Sequence, residues 1–542
     1  MNIKFILLIL LIILPQFIFC QGEGLPSNEV EVIKAFEANL EEASKIHITP
    51  KLSKIDPVKK IYDYKITILP LDIKYPDPVI KPLAIATASA FESHNFFAKL
   101  GYGTLKSPYA KIVYGNRDNF RYDLNVDASH YSIDNDNKIE NQRMSNSKLD
   151  INGKYRIKEN IQLLGGISGQ LQRRGNYFTF NDFPSSENRK INQFDIHAGI
   201  QNVEETQTGI NYYSQLKASR FSISDSGVKA TENDLTFNGD VDKKITDKLI
   251  VALMVEARYS RYSESSGNDD LLNSLSSLEV RYHQGRFAAN AGVSVITDPF
   301  HKVSLFPKGE IAFGLVGHQL QVFGGADQGY ILNGIHQYGN EIPFINTSFS
   351  DLRNVLWQSI HGGIRGEWTF ISYQGKAGLK NIKSQAYFTN TEDLAHPTMH
   401  FDDVKAIFAS GNVEFAFSDD IVLGATMTKN FYDTETVDEL YGIPSLDFDG
   451  YGKISLLDNR LAVKGSIHLA DQTNALIRVN GNNNEVVTLN NQLELNAGLE
   501  FWPLQKVGIY AQAANILDNR YSRWYGYPTV GINFNGGILI KF

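Results

Sequence analysis

A single cysteine, Cys20, in 542 residues leaves no partner for an intramolecular disulfide. An exported chain of this kind must be held by backbone pairing and packing alone. Long apolar runs are scarce: beyond the first 20 residues none approaches the roughly 20 consecutive apolar residues that a membrane-spanning helix needs. Positive charge is not in excess. Against 52 Lys and Arg stand 60 Asp and Glu, a net charge of -8, which gives no basic face for nucleic acid and favours plain solubility. The G-x-S-x-G elbow, the H-E-x-x-H pair and the G-x-x-x-x-G-K-S/T loop are all missing, so neither enzyme activity nor a cofactor is expected. The 12 histidines are scattered, and His396 and His400 share one segment without a third ligand, so no metal centre is expected. SIDNDNKIEN (132–141) groups Asp134, Asp136, Asn137 and Glu140, oxygen donors suited to calcium. It lacks the glycine and distal glutamate of an EF-hand loop, and a solvated acidic loop is the plainer reading. DFDG (447–450) reads the same way.

What is present is organised in three parts. Residues 1–20 carry Lys4, an apolar run from Phe5 to Leu14 and a break at Pro15, the pattern of a secretory signal peptide. Two processing routes stay open at its end: cleavage after Cys20, or lipidation of Cys20 despite the bulky Phe19 before it. Residues 21–92 follow. They place Ile33, Phe36, Leu40 and Ala43 at helical spacing, then Pro50, Pro57, Pro70, Pro76, Pro78 and Pro82. Proline at that density excludes a long helix or a central strand. An extended arm with one short helix is expected, lying in the periplasm or in a lumen.

From residue 93 to 542 the texture is uniform. LDINGKYRI sets Leu149, Ile151, Tyr155 and Ile157 against Asp150, Asn152, Lys154 and Arg156; NIQLLGGISGQLQ and KVGIYAQAANIL alternate likewise. Long runs of period two, with charges deep in the polar face, suit strands with lipid on one side and water on the other. Tight turns (115–119, 158–160, 242–248, 283–286, 316–319, 418–420, 457–460, 503–506) alternate with longer polar loops at 132–143, 177–189, 222–231, 262–275, 328–353, 434–446, 476–486 and 518–528. This predicts an all-β, antiparallel transmembrane barrel of about 22 strands, surrounded by outer-membrane lipid. The chain stops on the apolar strand GINFNGGILIKF, which would be an aggregation edge unless it pairs with a strand near NFFAKLGYGTL (95–105) and closes the ring. Trp357, Trp368, Trp502 and Trp524 fall near strand ends, where an interfacial belt would put them.

The end of the chain resembles outer-membrane barrels of Gram-negative bacteria. Asn535, Gly537, Ile540 and Phe542 match the polar-x-Gly-x-x-apolar-x-aromatic signal that the barrel-assembly machinery reads. AANILDNRYSRWYGYP (513–528), through Asn515, Leu517, Asp518, Tyr521 and Pro528, is similar to the penultimate strand and final loop of TonB-dependent receptors. The abundance of Asn, Lys and Ile is similar to receptors of Bacteroidota. The resemblance covers roughly residues 95–542 and implies a barrel in the cell outer membrane that passes solute. That family carries a folded plug domain before the barrel, whereas 21–92 lacks a plug's hydrophobic pattern. Glu29, Val30, Glu31, Val32 and Ile33 are similar to the short segment through which receptors meet TonB by strand addition.

A barrel of this bore must be filled or it leaks. Either the arm or the loop 328–354 is expected to occlude it, the latter through Tyr330, Ile335, Tyr338 and Phe344. Packing of that loop over its neighbours is the bland alternative. Passage of solute, by channel or partner-gated transport, is the expected function. A non-conducting scaffold barrel that docks periplasmic partners through 21–92 is the alternative. The solute is not legible.

Overall fold

The computed structural model describes residues 94–542, apart from 117–120, 181–187, 226–227, 265–266, 301, 343, 348–351, 419 and 480–482. The signal sequence, the arm with its helical stretch and the 29–33 segment lie outside the described residues.

Alternating sequence becomes wall. The first strands are β1 (Phe96–Gly103), β2 (Ser107–Asn116), β3 (Tyr122–Asp134), β4 (Arg143–Lys158), β5 (Ile161–Gly175) and β6 (Asn188–Asn202). Next come β7 (Ile210–Asp225), β8 (Val228–Thr246), β9 (Leu249–Glu264), β10 (Gly267–Gln284), β11 (Phe287–Asp298) and β12 (Lys302–Val316). After β13 (Leu320–Ile331) a long loop holds the helix α1 (Ile335–Glu341). Then follow β14 (Val355–Trp368), β15 (Ile371–Asn390), β16 (Thr398–Ser418), β17 (Ile421–Thr434), β18 (Leu446–Leu456) and β19 (Leu461–Ala470). Here β20 (Thr473–Val479) and β21 (Asn483–Leu489) leave the wall as a hairpin, so β19 pairs directly with β22 (Gln492–Phe501). After β23 (Val507–Ala514), a small hairpin of β24 (Ser522–Trp524) and β25 (Tyr527–Pro528) precedes the last strand, β26 (Asn533–Lys541). Antiparallel pairing of β26 with β1 closes a barrel of 22 strands.

The seam shows how closure is secured. Register pairs Gly101 with Gly537, and Phe97 with Lys541. The glycine pair leaves room for Tyr510 of β23 to lie across it and donate from its hydroxyl to Asn535 Oδ1 at 2.6 Å. Buried Lys99 sits 4.1 Å above the Tyr510 ring and 3.6 Å from Glu500. At the rim Phe96 stacks on Phe542 at 4.7 Å, with main-chain bonds in both directions between them. The bare phenylalanine therefore terminates a paired strand rather than an open edge.

Outward positions carry the apolar residues. Leu216, Ile311, Ile360, Leu379, Ile407, Ile509 and Ile538 are all exposed large hydrophobics on strand faces. At the end with the tight turns and the C-terminus, Tyr122, Tyr155, Phe313, Trp368, Phe370, Phe417 and Phe542 form an exposed aromatic ring. An apolar belt edged by aromatics is a lipid-facing surface. Trp502 joins that edge and lies 4.6 Å from Lys541 Nζ. Trp357 does not: it occupies the face opposite Ile360 and Ile364, 4.4 Å from Lys380 Nζ. Trp524 is buried in the last loop. Neither belongs to a belt, because the alternation of the strand and the folding of the loop decide their direction.

Three expected loops are strand instead in their described residues, 476–486 among them as parts of β20 and β21. The stretches 222–231 and 262–275 continue the β7–β8 and β9–β10 ladders up to Asp225↔Val228 and Glu264↔Gly267. Their polar residues mislead because both faces of a strand extending past the lipid meet water.

Candidate functional site

The loop 332–354 turns inward at the end of the barrel that bears the long loops. Its one regular element among the described residues, α1, is 7 residues long and has no side-chain cap at its N-cap residue, so packing rather than propensity stabilises it. Ile335, Tyr338 and Ile342 recur at helical spacing on one face. They are buried against Phe221 and Ile223 of β7, Ile191 of β6, Ala230 of β8 and Tyr262 of β9. These wall residues alternate with exposed Leu216, Ile196 and Tyr259, so the helix docks on the inner surface. Gly339 permits the approach, since a Cβ there would meet Ile223 Cδ1 at 2.4 Å. The same cluster takes in Phe344, Ile345 and Leu352, then Ala386 and Phe388 of β15, and Trp524 and Tyr527 of the last loop. In a ring of this size β7, β15 and the β23–β26 loop are roughly a third of the circumference apart. One loop therefore bridges three sectors of the wall.

Aromatic contacts fasten the bridge. Phe344 stacks on Tyr527 at 3.7 Å, and Tyr177 stands edge-on to both. Phe388 meets Trp524 at 5.3 Å and Tyr338 at 6.0 Å. Burial pushes the Tyr177 phenol up to about 12 and that of Tyr527 higher still, so both stay neutral, and Tyr527 donates to the Ala395 carbonyl at 2.8 Å.

Polar anchors lie beneath. Glu232, fully buried on β8, accepts from the His336 amide at 2.8 Å and pairs with Arg258, which also donates to Asp234 at 2.7 Å. Asn333 Nδ2 donates to the Arg353 carbonyl, closing the two ends of the loop on each other. Buried Arg189 donates to the Ile345 carbonyl at 2.7 Å, and its Nε lies 3.2 Å from Asp225. Asp225 in turn is 3.4 Å from His396 Nε2, whose Nδ1 is 2.8 Å from Asp393. Burial works against the His396 imidazolium, but the two carboxylates outweigh it and hold its pKa above the ordinary histidine value. Burial likewise opposes charge on Asp393, and the imidazole beside it brings the carboxyl below its usual range.

The residues singled out in sequence fall as follows. Ile335, Tyr338 and Phe344 enter the cap core, while Tyr330 ends β13 below it, half-buried. Asn535 is buried inside the seam, Gly537 faces Gly101, Ile540 pairs with Ala98 and Val507, and Phe542 closes the rim. His396 and His400 diverge: His400 points to Thr389 on β15 at 3.0 Å. Of the 132–141 acids, Asp134 is paired with Lys106 at 3.0 Å and Asp136 with Arg143 at 3.8 Å, Asp136 Oδ1 also accepts the Asn141 amide, and Glu140 is exposed. Sequence reasoning missed Arg189, Glu232, Arg258 and Trp524. The charged ones look like ordinary polar-face residues of alternating strands, and only the inward loop makes them partners.

No protein-family profile and no curated protein matches the sequence. Solved structures do. The FrpB iron transporter of Neisseria meningitidis superposes with a TM-score of 0.63 at 9% identity, covering 82% of this chain and 81% of that one. The ferripyoverdine receptor of the Pseudomonas aeruginosa outer membrane gives 0.64 at 10% identity, over 83% of this chain and 72% of the other. The siderophore receptor PirA of Acinetobacter baumannii gives 0.62 at 10%, over 82% and 80%. At such identity the likeness is one of fold: that of a large outer-membrane receptor barrel.

Proposed function

We propose that this chain is a barrel of the Gram-negative outer membrane that passes a solute, with its loop end closed at rest by residues 332–354. The observation that carries the reading is the inward cap: one loop buries Ile335, Ile342 and Ile345 completely against three separated sectors of the inner wall. A scaffold would have no use for a latched closure of its own lumen, whereas a passage must be shut between transits. The cap then does the work of a plug domain, which residues 21–92 are not patterned to form. Motion of the cap admits solute, and no catalysis is assigned. Iron-laden small molecules, named for the structural neighbours, are the first solute class to try. Residues 29–33 supply a segment for a TonB-type partner by strand addition, and Asn535, Gly537, Ile540 and Phe542 are read by the barrel-assembly machinery.

Replacing 333–353 with a short Gly-Ser linker tests this in a planar bilayer. Conductance near the baseline for the intact chain and large steady currents for the variant are expected. Equal currents from both, with both barrels folded, would end the cap reading.

A further inference from the structure

The excursion of β20 and β21 has a chemical result at the rim of the wall. Because β22 takes the place beside β19, register sets Asp449 of β18 opposite His468 of β19, and His468 opposite Glu494 of β22. Asp447, two residues before Asp449, shares its face. Neighbouring strands run about 4.8 Å apart, so such a row brings side-chain tips within reach of one ion. One ligand atom from each of Asp447, Asp449 and His468 lies within 4.8 Å of the others.

Three observations separate this group from a solvated acidic patch. His468 is 9% exposed and Glu494 8%, so both are more than nine-tenths buried. The His468 ring is fixed by Nδ1 at 2.9 Å from Asp449 Oδ1, and among the described residues nothing hydrogen-bonds to its Nε2. Among the described residues no side chain donates a hydrogen bond to Asp447; its carboxyl faces that of Asp449, and Arg523 acts on it only from a distance. Facing carboxylates need a cation or a shared proton between them. Glu494 beside His468 has both oxygens engaged, Asn496 donating to one at 3.1 Å and the Tyr521 hydroxyl to the other at 3.3 Å. The comparable trio of Glu232, Asp234 and His336 differs because Arg258 forms direct ion pairs with two of its members, whereas the ion pair of Arg523 is with Glu341.

We propose that Asp447, Asp449 and His468 bind a divalent first-row transition ion such as Zn2+ or Co2+, with the Glu494 carboxylate opposite His468 adding negative charge to the site. One imidazole among carboxylates selects that class over Ca2+ and Mg2+, which take oxygen ligands. The site does not rest on the transport reading, and its test involves no solute passage.

Purified full-length protein in detergent is titrated with Co2+ and followed by the visible absorption of the bound ion, with Zn2+ as competitor. One saturable cobalt band per chain, displaced by Zn2+ and not by Ca2+, is expected. H468Q and the near-isosteric D447N/D449N pair, with folding verified by heat-modifiable migration, lose the band. A wild-type chain that gives no saturable band overturns the proposal and leaves a shared proton between the aspartates. So does a band that survives unchanged in both folded variants.

Discussion

Arg189→Met isolates the latch between the cap and the wall. Methionine keeps the apolar stem that packs in the cluster and removes only the guanidinium. Two losses follow from the geometry. The charged hydrogen bond to the Ile345 carbonyl at 2.7 Å is worth about 1.5–3 kcal/mol. Asp225, 3.2 Å from Arg189, loses a buried partner, a change that costs about 3–5 kcal/mol when nothing replaces it. His396 remains 3.4 Å away and offsets much of the second loss. A net cost of about 3 kcal/mol to the docked cap results, and with tenfold per 1.4 kcal/mol the undocked population rises roughly 100-fold. The barrel ladder does not depend on this contact, so the effect is local. Hydrogen exchange followed by mass spectrometry reads it directly: peptides covering 335–345 exchange roughly 100-fold faster while those from β14–β17 are unchanged. Bilayer currents rise in the same variant. Unaltered exchange at 335–345 in a folded R189M barrel would show that the cap is not held by this residue, and the latch would have to be abandoned.

Three further outcomes are expected. His396 has a folded-state pKa above its ordinary 6.5, so its contribution is complete below that pH and drains away as pH climbs through the raised value. Exchange protection of 335–345 and 391–397 should fall across that window, and in H396Q it should be low and pH-independent. Gly339→Val drives a Cβ to 2.4 Å from Ile223 Cδ1 and 3.0 Å from Phe221 Cζ. Overpacking of about 1–3 kcal/mol should loosen the cap, visible as faster exchange at 335–345, while heat-modifiable migration of the barrel stays normal. Gly537→Val strikes main chain, with its Cβ 1.9 Å from the Leu100 carbonyl oxygen and 2.5 Å from Gly101 Cα. Backbone cannot step aside, so the β1–β26 seam fails and the heat-modifiable band disappears; a folded G537V barrel would contradict the seam geometry.

The wall was legible because its cause is local. Period-two alternation, turn residues and the contrast between short and long connections are each set within about ten residues, and for strands a closed ring is the one arrangement that satisfies every backbone group in lipid. Even the pairing of the last strand followed from its alternation, since an apolar strand left unpaired would be an aggregation edge. Apolar side chains in the loop 328–354 announced burial, because water would not tolerate Ile335, Tyr338 and Phe344 together. Which surface they would meet was not written in the loop. That was decided by three sectors roughly a third of the ring apart, whose inward residues look like any others until closure brings them face to face. Arg189 and Glu232 became anchors only because the loop arrived beside them. Likewise DFDG read as a solvated loop, yet Asp447 and Asp449 lie on a strand opposite His468, with Glu494 one strand further on. Local spacing settles what a segment is. Register across strands distant in sequence settles what it touches, and no window of sequence contains that register.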